Sequence, residues 1–82
     1  MKSVKKVTPL ENYKLLLTFD NGEIRTADIK PLLDKPVFTP LKDTAIFKSV
    51  YIQYGAVTWK DGNGNEIDIC PDNMYINSEV VK

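Results

Sequence analysis

Tyr13, Leu15, Leu17 and Phe19 alternate with Lys14, Leu16 and Thr18, a period of two that places four large apolar groups on one face of a strand. Asp20-Asn21-Gly22-Glu23 follows, and Asn-Gly supplies the two positive-φ residues of a tight type I′ hairpin. The spacing therefore predicts that residues 23–29 return beside the first strand, with Phe19 opposite Ile24. Upstream, residues 4–10 lean towards strand and carry Pro9, which a first or edge strand tolerates because one side of its backbone need not donate to a ladder.

From Lys30 the pattern changes. Pro31, Pro36 and Pro40 interrupt any ladder, while Leu32, Leu33, Val37 and Phe38 still supply apolar bulk, so this segment is expected to cross over the core. Thr39-Pro40 resembles a helix cap followed by proline at the first helical position, and a short helix is expected over residues 41–47. Val50, Ile52 and Tyr54 alternate, Gly55 allows a turn, and Val57 with Trp59 alternate again, which predicts a second hairpin. The turn-rich run Asp61-Gly62-Asn63-Gly64-Asn65 leads to a strand over residues 67–69, and a turn of helix is expected from Pro71 to Tyr75. The fold class is α+β: a small antiparallel sheet built from hairpins, with one or two short helices packed on it, as a single domain over residues 1–82. Leu15, Leu17, Phe19, Ile24, Leu33, Phe38, Phe47, Val57 and Trp59 are the expected core.

With 43% hydrophobic and 27% charged residues the chain has enough apolar material for a core. Eleven basic residues balance eleven acidic ones, so no long-range field selects an anionic partner, and Arg25 is the sole arginine. Nucleic-acid readers lean on basic surface and Arg forks, which leaves only a local patch of Lys2, Lys5 and Lys6, more simply read as a solvated or protected edge strand. Cys70 is the single cysteine and histidine is absent, so an intrachain disulfide, a Cys/His zinc site from one chain and Ser-His-Asp or Cys-His chemistry each lack a member. No stretch reaches the length of a membrane span and no apolar run follows the basic first residues, so a cytoplasmic protein is expected.

Asp61, Asn63 and Asn65, with Asp72 at the twelfth position, place oxygen groups as a calcium loop does. Glu66 stands where the sharp turn wants glycine, however, and the flanks read as strands, so a hairpin connection is expected and no metal site is assigned. Asp20 with Glu23 flanks a hairpin tip, where water holds carboxylates near their ordinary values; Glu66 with Asp68 reads as the solvent face of a strand. Trp59, Tyr51, Tyr54 and Tyr75 are read as core and rim in preference to a stacking platform, and Cys70 as a small buried hydrophobe. No catalytic, cofactor-binding or metal-ligating residue is assigned.

Taken in order, Val7-Thr-Pro-Leu10, Tyr13-Lys-Leu15-Leu-Leu17-Thr-Phe19-Asp-Asn-Gly22-Glu, Asp28-Ile-Lys-Pro31-Leu-Leu33, Phe38-Thr-Pro-Leu41, Phe47, Val57-Thr-Trp59 and Asp68-Ile-Cys-Pro71-Asp-Asn-Met-Tyr75 resemble a small bacterial family, domain of unknown function 2442. The resemblance implies a compact α+β fold with an antiparallel sheet, and no reaction or catalytic residues. Some members look like the front half of a chain whose back half is a helix-turn-helix domain; others look like stand-alone proteins encoded beside another small domain, as in toxin-antitoxin pairs. The missing catalytic groups, the neutral charge and Leu16 opposite the main core face lead to the expectation of a non-catalytic module that binds a protein partner or its own copy. The alternatives are a nucleic-acid-associated regulatory domain and a small-ligand or enzymatic domain using carboxylates.

Overall fold

Lys14–Phe19 forms strand β2, flanked by β1 (Val4–Leu10) and β3 (Ile24–Asp28) in the computed structural model, which describes residues 2–81. A two-residue strand, β7 (Glu79–Val80), completes an antiparallel sheet of order β1-β2-β3-β7. A second antiparallel sheet contains β4 (Tyr51–Gln53), β5 (Ala56–Lys60) and β6 (Glu66–Ile69) in that order. Two short helices, α1 (Thr44–Lys48) and α2 (Pro71–Ile76), complete an α+β fold.

The alternation in β2 sends Leu15, Leu17 and Phe19 inward, each at most 1% exposed. They join Val57, Trp59 and Ile67 of the second sheet in one contiguous apolar cluster, which Phe47, Leu41 and Met74 extend. The Trp59 indole N–H donates to the Phe47 carbonyl at 2.9 Å, so the one polar atom of this fully buried ring is satisfied. Val4 belongs to the same cluster because of a bulge: Val4 pairs with Phe19 and Lys6 with Thr18, leaving Lys5 as an extra residue. Without it, Val4 and Lys6 would share a face, since strand parity repeats every two residues.

Hydrogen bonds to both sides of β2 also place Pro9. Asp20 N–H bonds to Ser3 on the β1 side, whereas Phe19 N–H bonds to Glu23 on the β3 side, so even-numbered positions of β2 face β1. Their partners are Lys6, Thr8 and Leu10, which leaves the nitrogen of Pro9 on the outer edge, where its missing N–H costs no ladder bond.

The first hairpin differs from the expected one. Gly22 N–H donates to the Phe19 carbonyl at 3.0 Å and Gly22 takes φ 89°, so the loop has three residues, a turn followed by a glycine bulge. Asn21 keeps a negative φ and uses its side-chain oxygen to accept from Glu23 N–H. The register moves by one: Ile24 opposes Thr18 and leaves the core for the other face of the sheet. A two-residue loop with both φ values positive occurs instead at Tyr54-Gly55, between Gln53 and Ala56. There Val4 N–H donates to the Gly55 carbonyl at 2.8 Å and ties the two sheets together.

The first α-helix also starts later than expected. Pro40 cannot donate to the carbonyl of Pro36, and the Thr39 hydroxyl bonds that carbonyl at 2.9 Å, so Pro36–Lys42 winds as 3₁₀ turns. Asp43 is the true cap, accepting from Ala45 N–H. Phe38 is half-buried at the margin of the core, while Val4, Ile29, Leu41 and Met74 are core residues that the patterning does not single out.

Candidate functional site

The densest polar constellation gathers around the sole arginine. Arg25 lies on β3 with its side chain 15% exposed; its Nη1 donates to Glu23 Oε1 at 2.6 Å, and its Nε and Nη2 donate to the Ser78 hydroxyl and carbonyl, each at 2.8 Å. The Tyr75 hydroxyl donates to the other oxygen of Glu23 at 2.6 Å. Both Arg25 and Lys2 sit over the Tyr75 ring, at 4.2 and 4.5 Å from its centre, and Phe19 meets that ring edge-on. The chain segments joined are the first hairpin, α2 and the turn before β7, so this network clamps the carboxy-terminal elements onto the larger sheet. The Tyr75 hydrogen bond first, and the Arg25 guanidinium next, hold the Glu23 carboxyl below its ordinary value. Water therefore does not set its acidity, as the hairpin-tip position suggested, and the shift runs opposite to what a general acid needs.

The shift makes the clamp sensitive to acid. Glu23 has a lowered folded-state pKa, so its stabilising contribution is present above the ordinary glutamate value of about 4.3 and is lost as pH falls through the folded value. Glu23→Gln keeps the shape and removes the charge. The melting-temperature gap between wild type and this variant is expected to be largest near neutral pH and to close below about pH 4; a gap independent of pH would contradict the assignment.

A cleft of about 470 Å³ opens between the end of β3, the turn at Pro31 and Leu32, and α2. Its walls include Ala27, Ile29, Ile69 and Met74, with Lys35 and Asn73 at the rim. Among the described residues the only carboxylate lining it is Asp28, whose Oδ1 accepts from Lys30 N–H. Paired acid and base groups are not gathered there.

The other sequence candidates are dispersed. Asp61 Oδ1 accepts from the N–H groups of Asn63 and Asn65, at 2.8 and 2.9 Å, and these backbone bonds hold its carboxyl below the ordinary value. Asp72 lies beyond the far end of β6, accepting from Lys2 N–H at 2.8 Å. The four-oxygen set is thus split between two ends of a strand, and a melting curve in millimolar calcium is expected to superimpose on one in a chelator. A rise that Asp61→Ala abolishes would make the loop a metal site.

Burial, followed by the hydrogen bond to Glu66, raises the Tyr51 phenol above its ordinary value; the contact is long, at 3.2 Å. Trp59 is buried, Tyr75 belongs to the clamp and Tyr54 is 97% exposed at the hairpin tip, so the aromatics form no common platform. Cys70 is exposed and not a buried hydrophobe, because Pro71 begins α2 and leaves Cys70 at its cap. Lys5 and Lys6 are exposed on β1, which is the edge strand of its sheet.

One further surface remains. Opposite the core, the larger sheet presents Lys6, Thr18 and Ile24 in one row, Thr8, Leu16, Thr26 and Glu79 in the next, and Leu10, Lys14 and Asp28 in the third. Val81 extends the first row through its N–H bond to the Ile24 carbonyl at 2.7 Å. None of these side chains is buried.

Two small antiparallel sheets around one core, with a carboxy-terminal helix pinned by an arginine clamp, define a small α+β domain without a gathered catalytic set among the described residues. The chain belongs to the family described as Protein of unknown function (DUF2442), whose model matches residues 4–79. No curated protein and no solved structure matches the chain. No helix among the described residues is long and apolar enough to cross a membrane.

Proposed function

We propose that this protein is a non-catalytic interaction module, and that it binds a protein partner or its own copy through the open face of the larger sheet. The observation that supports this most is the adjacent set of Leu16, Ile24 and Val81 on that face, with Leu16 and Ile24 only partly buried and Val81 58% exposed. A strand face that only had to meet water would alternate apolar-in with polar-out; here two central positions of the outward set are large aliphatics. Threonines at positions 8, 18 and 26 surround them, a β-prone and uncharged margin suited to sheet packing. Pairing with another small protein, as in toxin-antitoxin couples, is one form such a module takes.

The test is recovery of the tagged protein from its native host at endogenous level, beside a Leu16→Lys, Ile24→Lys variant whose folding is checked by circular dichroism. A stoichiometric partner retained by the wild type and lost by the variant supports the reading, as does self-association lost in the same way. Partners retained equally by both would move the binding surface elsewhere. A wild type that retains nothing and also stays monomeric up to millimolar concentration would overturn the reading.

A further inference from the structure

We infer that the occupant of this open face is a second copy of the chain, stacked face to face about a two-fold axis that runs parallel to the strands between β2 and β3; this rests on the reading of that face as a binding surface. The charges on the face are divided by strand. Lys6 and Lys14 lie on β1 and β2, while Asp28 and Glu79 lie on β3 and β7. A two-fold axis along the strands keeps each row in place and exchanges the two halves of the sheet, so β1 faces the second copy's β7 and β2 faces its β3.

Under that operation Lys14 comes to face the second copy's Asp28, because the two are direct neighbours in one row. The second copy's Glu79 comes over Thr8, one row from Lys6. Each contact occurs twice. The second copy's Leu16 comes over Thr26, beside Ile24, and the exchange repeats symmetrically, so four aliphatic side chains close around the axis. A two-fold axis across the strands instead keeps each strand over its own copy: through the middle row it sets Lys14 against Thr18 and Asp28 against Ile24, through the last row it sets each charge against its own kind, and no placement brings a lysine strand over an acidic one. The charge pattern thus selects one self-complementary arrangement, and a chain of zero net charge meets no overall repulsion in forming it.

Four strands about 4.8 Å apart and five residues at about 3.4 Å each give a footprint of roughly 300 Å² per copy, below the ~800 Å² per partner of a standard interface. The dimer is accordingly weak and concentration-dependent. Sedimentation equilibrium from micromolar to millimolar protein is expected to show monomer passing to dimer.

Lys14→Asp and Asp28→Lys are each expected to weaken dimerisation at least about tenfold, since each creates two like-charge contacts. Mixed one to one, the two variants are expected to associate again. The aspartate introduced in the first then faces the lysine introduced in the second, and the first variant's unchanged Asp28 faces the second variant's unchanged Lys14. Thermal melts establish that each variant is folded, and Lys14→Asp alone suffices to show the weakening if Asp28→Lys does not fold. A wild type monomeric at millimolar concentration, or variants that dimerise like the wild type, would overturn the inference. If the wild type is monomeric yet loses a stoichiometric partner on Leu16→Lys, Ile24→Lys substitution, the open face stands as a binding surface and only its self-pairing falls.

Discussion

Phe19→Ala is expected to remove a large share of the protein's stability and lower its denaturant midpoint steeply, whereas Ile24→Ala should leave the midpoint close to that of the wild type. Phe19 is 1% exposed and meets the Tyr75 ring edge-on at 5.1 Å between centres, so truncation removes a ring from the main cluster and a wall of the Arg25 clamp together. Large-to-small changes of this kind cost about 3–5 kcal/mol. A chain of 82 residues holds about 4–12 kcal/mol in total at the usual per-residue stability. Ile24, one register step away on the opposite face, loses only partial burial, and a cost of about 1 kcal/mol or less is expected. Chemical denaturation of both variants checks the pair. Equal midpoints would mean that the faces of the first hairpin are assigned wrongly.

That pair also marks how far the sequence discloses the fold. Alternation from Leu15 to Phe19 identifies strand and core face because a period of two has one structural solution for a half-buried strand. Asn21-Gly22 identifies a turn but not its length: the same dipeptide serves a two-residue I′ loop or, with asparagine capping Glu23 N–H, a three-residue loop with Gly22 as the bulge. One residue of difference reverses the side of Ile24. Strand β7 is invisible for a related reason, since Glu79 and Val80 acquire their conformation from pairing with Thr26 and Arg25, not from any local pattern.

The candidate surfaces divide along the same line. Leu16 announces the open face, because an apolar residue in the outward phase of a strand is a local anomaly. The clamp is not legible, since Lys2, Glu23, Arg25, Tyr75 and Ser78 come from both ends of the chain and meet only through tertiary packing. Its signal was compositional: a single arginine among eleven basic residues, on a strand whose neighbours are apolar or small, is a residue with a specific acceptor to reach. The charge division of the open face likewise requires the register, because Lys14 and Asp28 are fourteen positions apart and become neighbours only through the β2–β3 pairing.

Gly55 is the position where a single methyl group is expected to cost most for its size. Its φ of 77° lies in the left-handed region, and a Cβ there would stand 2.9 Å from both Cβ and Oγ of Ser3 and 3.4 Å from its Cα. The Gly55 carbonyl is also the acceptor that holds Val4 N–H where the two sheets meet, so the loop cannot retreat from Ser3 without loosening that bond. Gly55→Ala therefore combines a backbone penalty of about 1–2 kcal/mol with an overlap penalty of similar size, and a total of about 2–4 kcal/mol is expected. Gly22→Ala supplies the control, since Gly22 has φ 89° with nothing within 4 Å of its added carbon, and should show the backbone part alone. Ser3→Gly removes the overlapping atoms; in that background the cost of Gly55→Ala is expected to fall to about that of Gly22→Ala, a coupling of about 1–2 kcal/mol between residues 52 positions apart. Equal costs in the two backgrounds, read from denaturant midpoints, would show that the corner between the sheets yields freely and that the Val4 to Gly55 bond does not fix their approach.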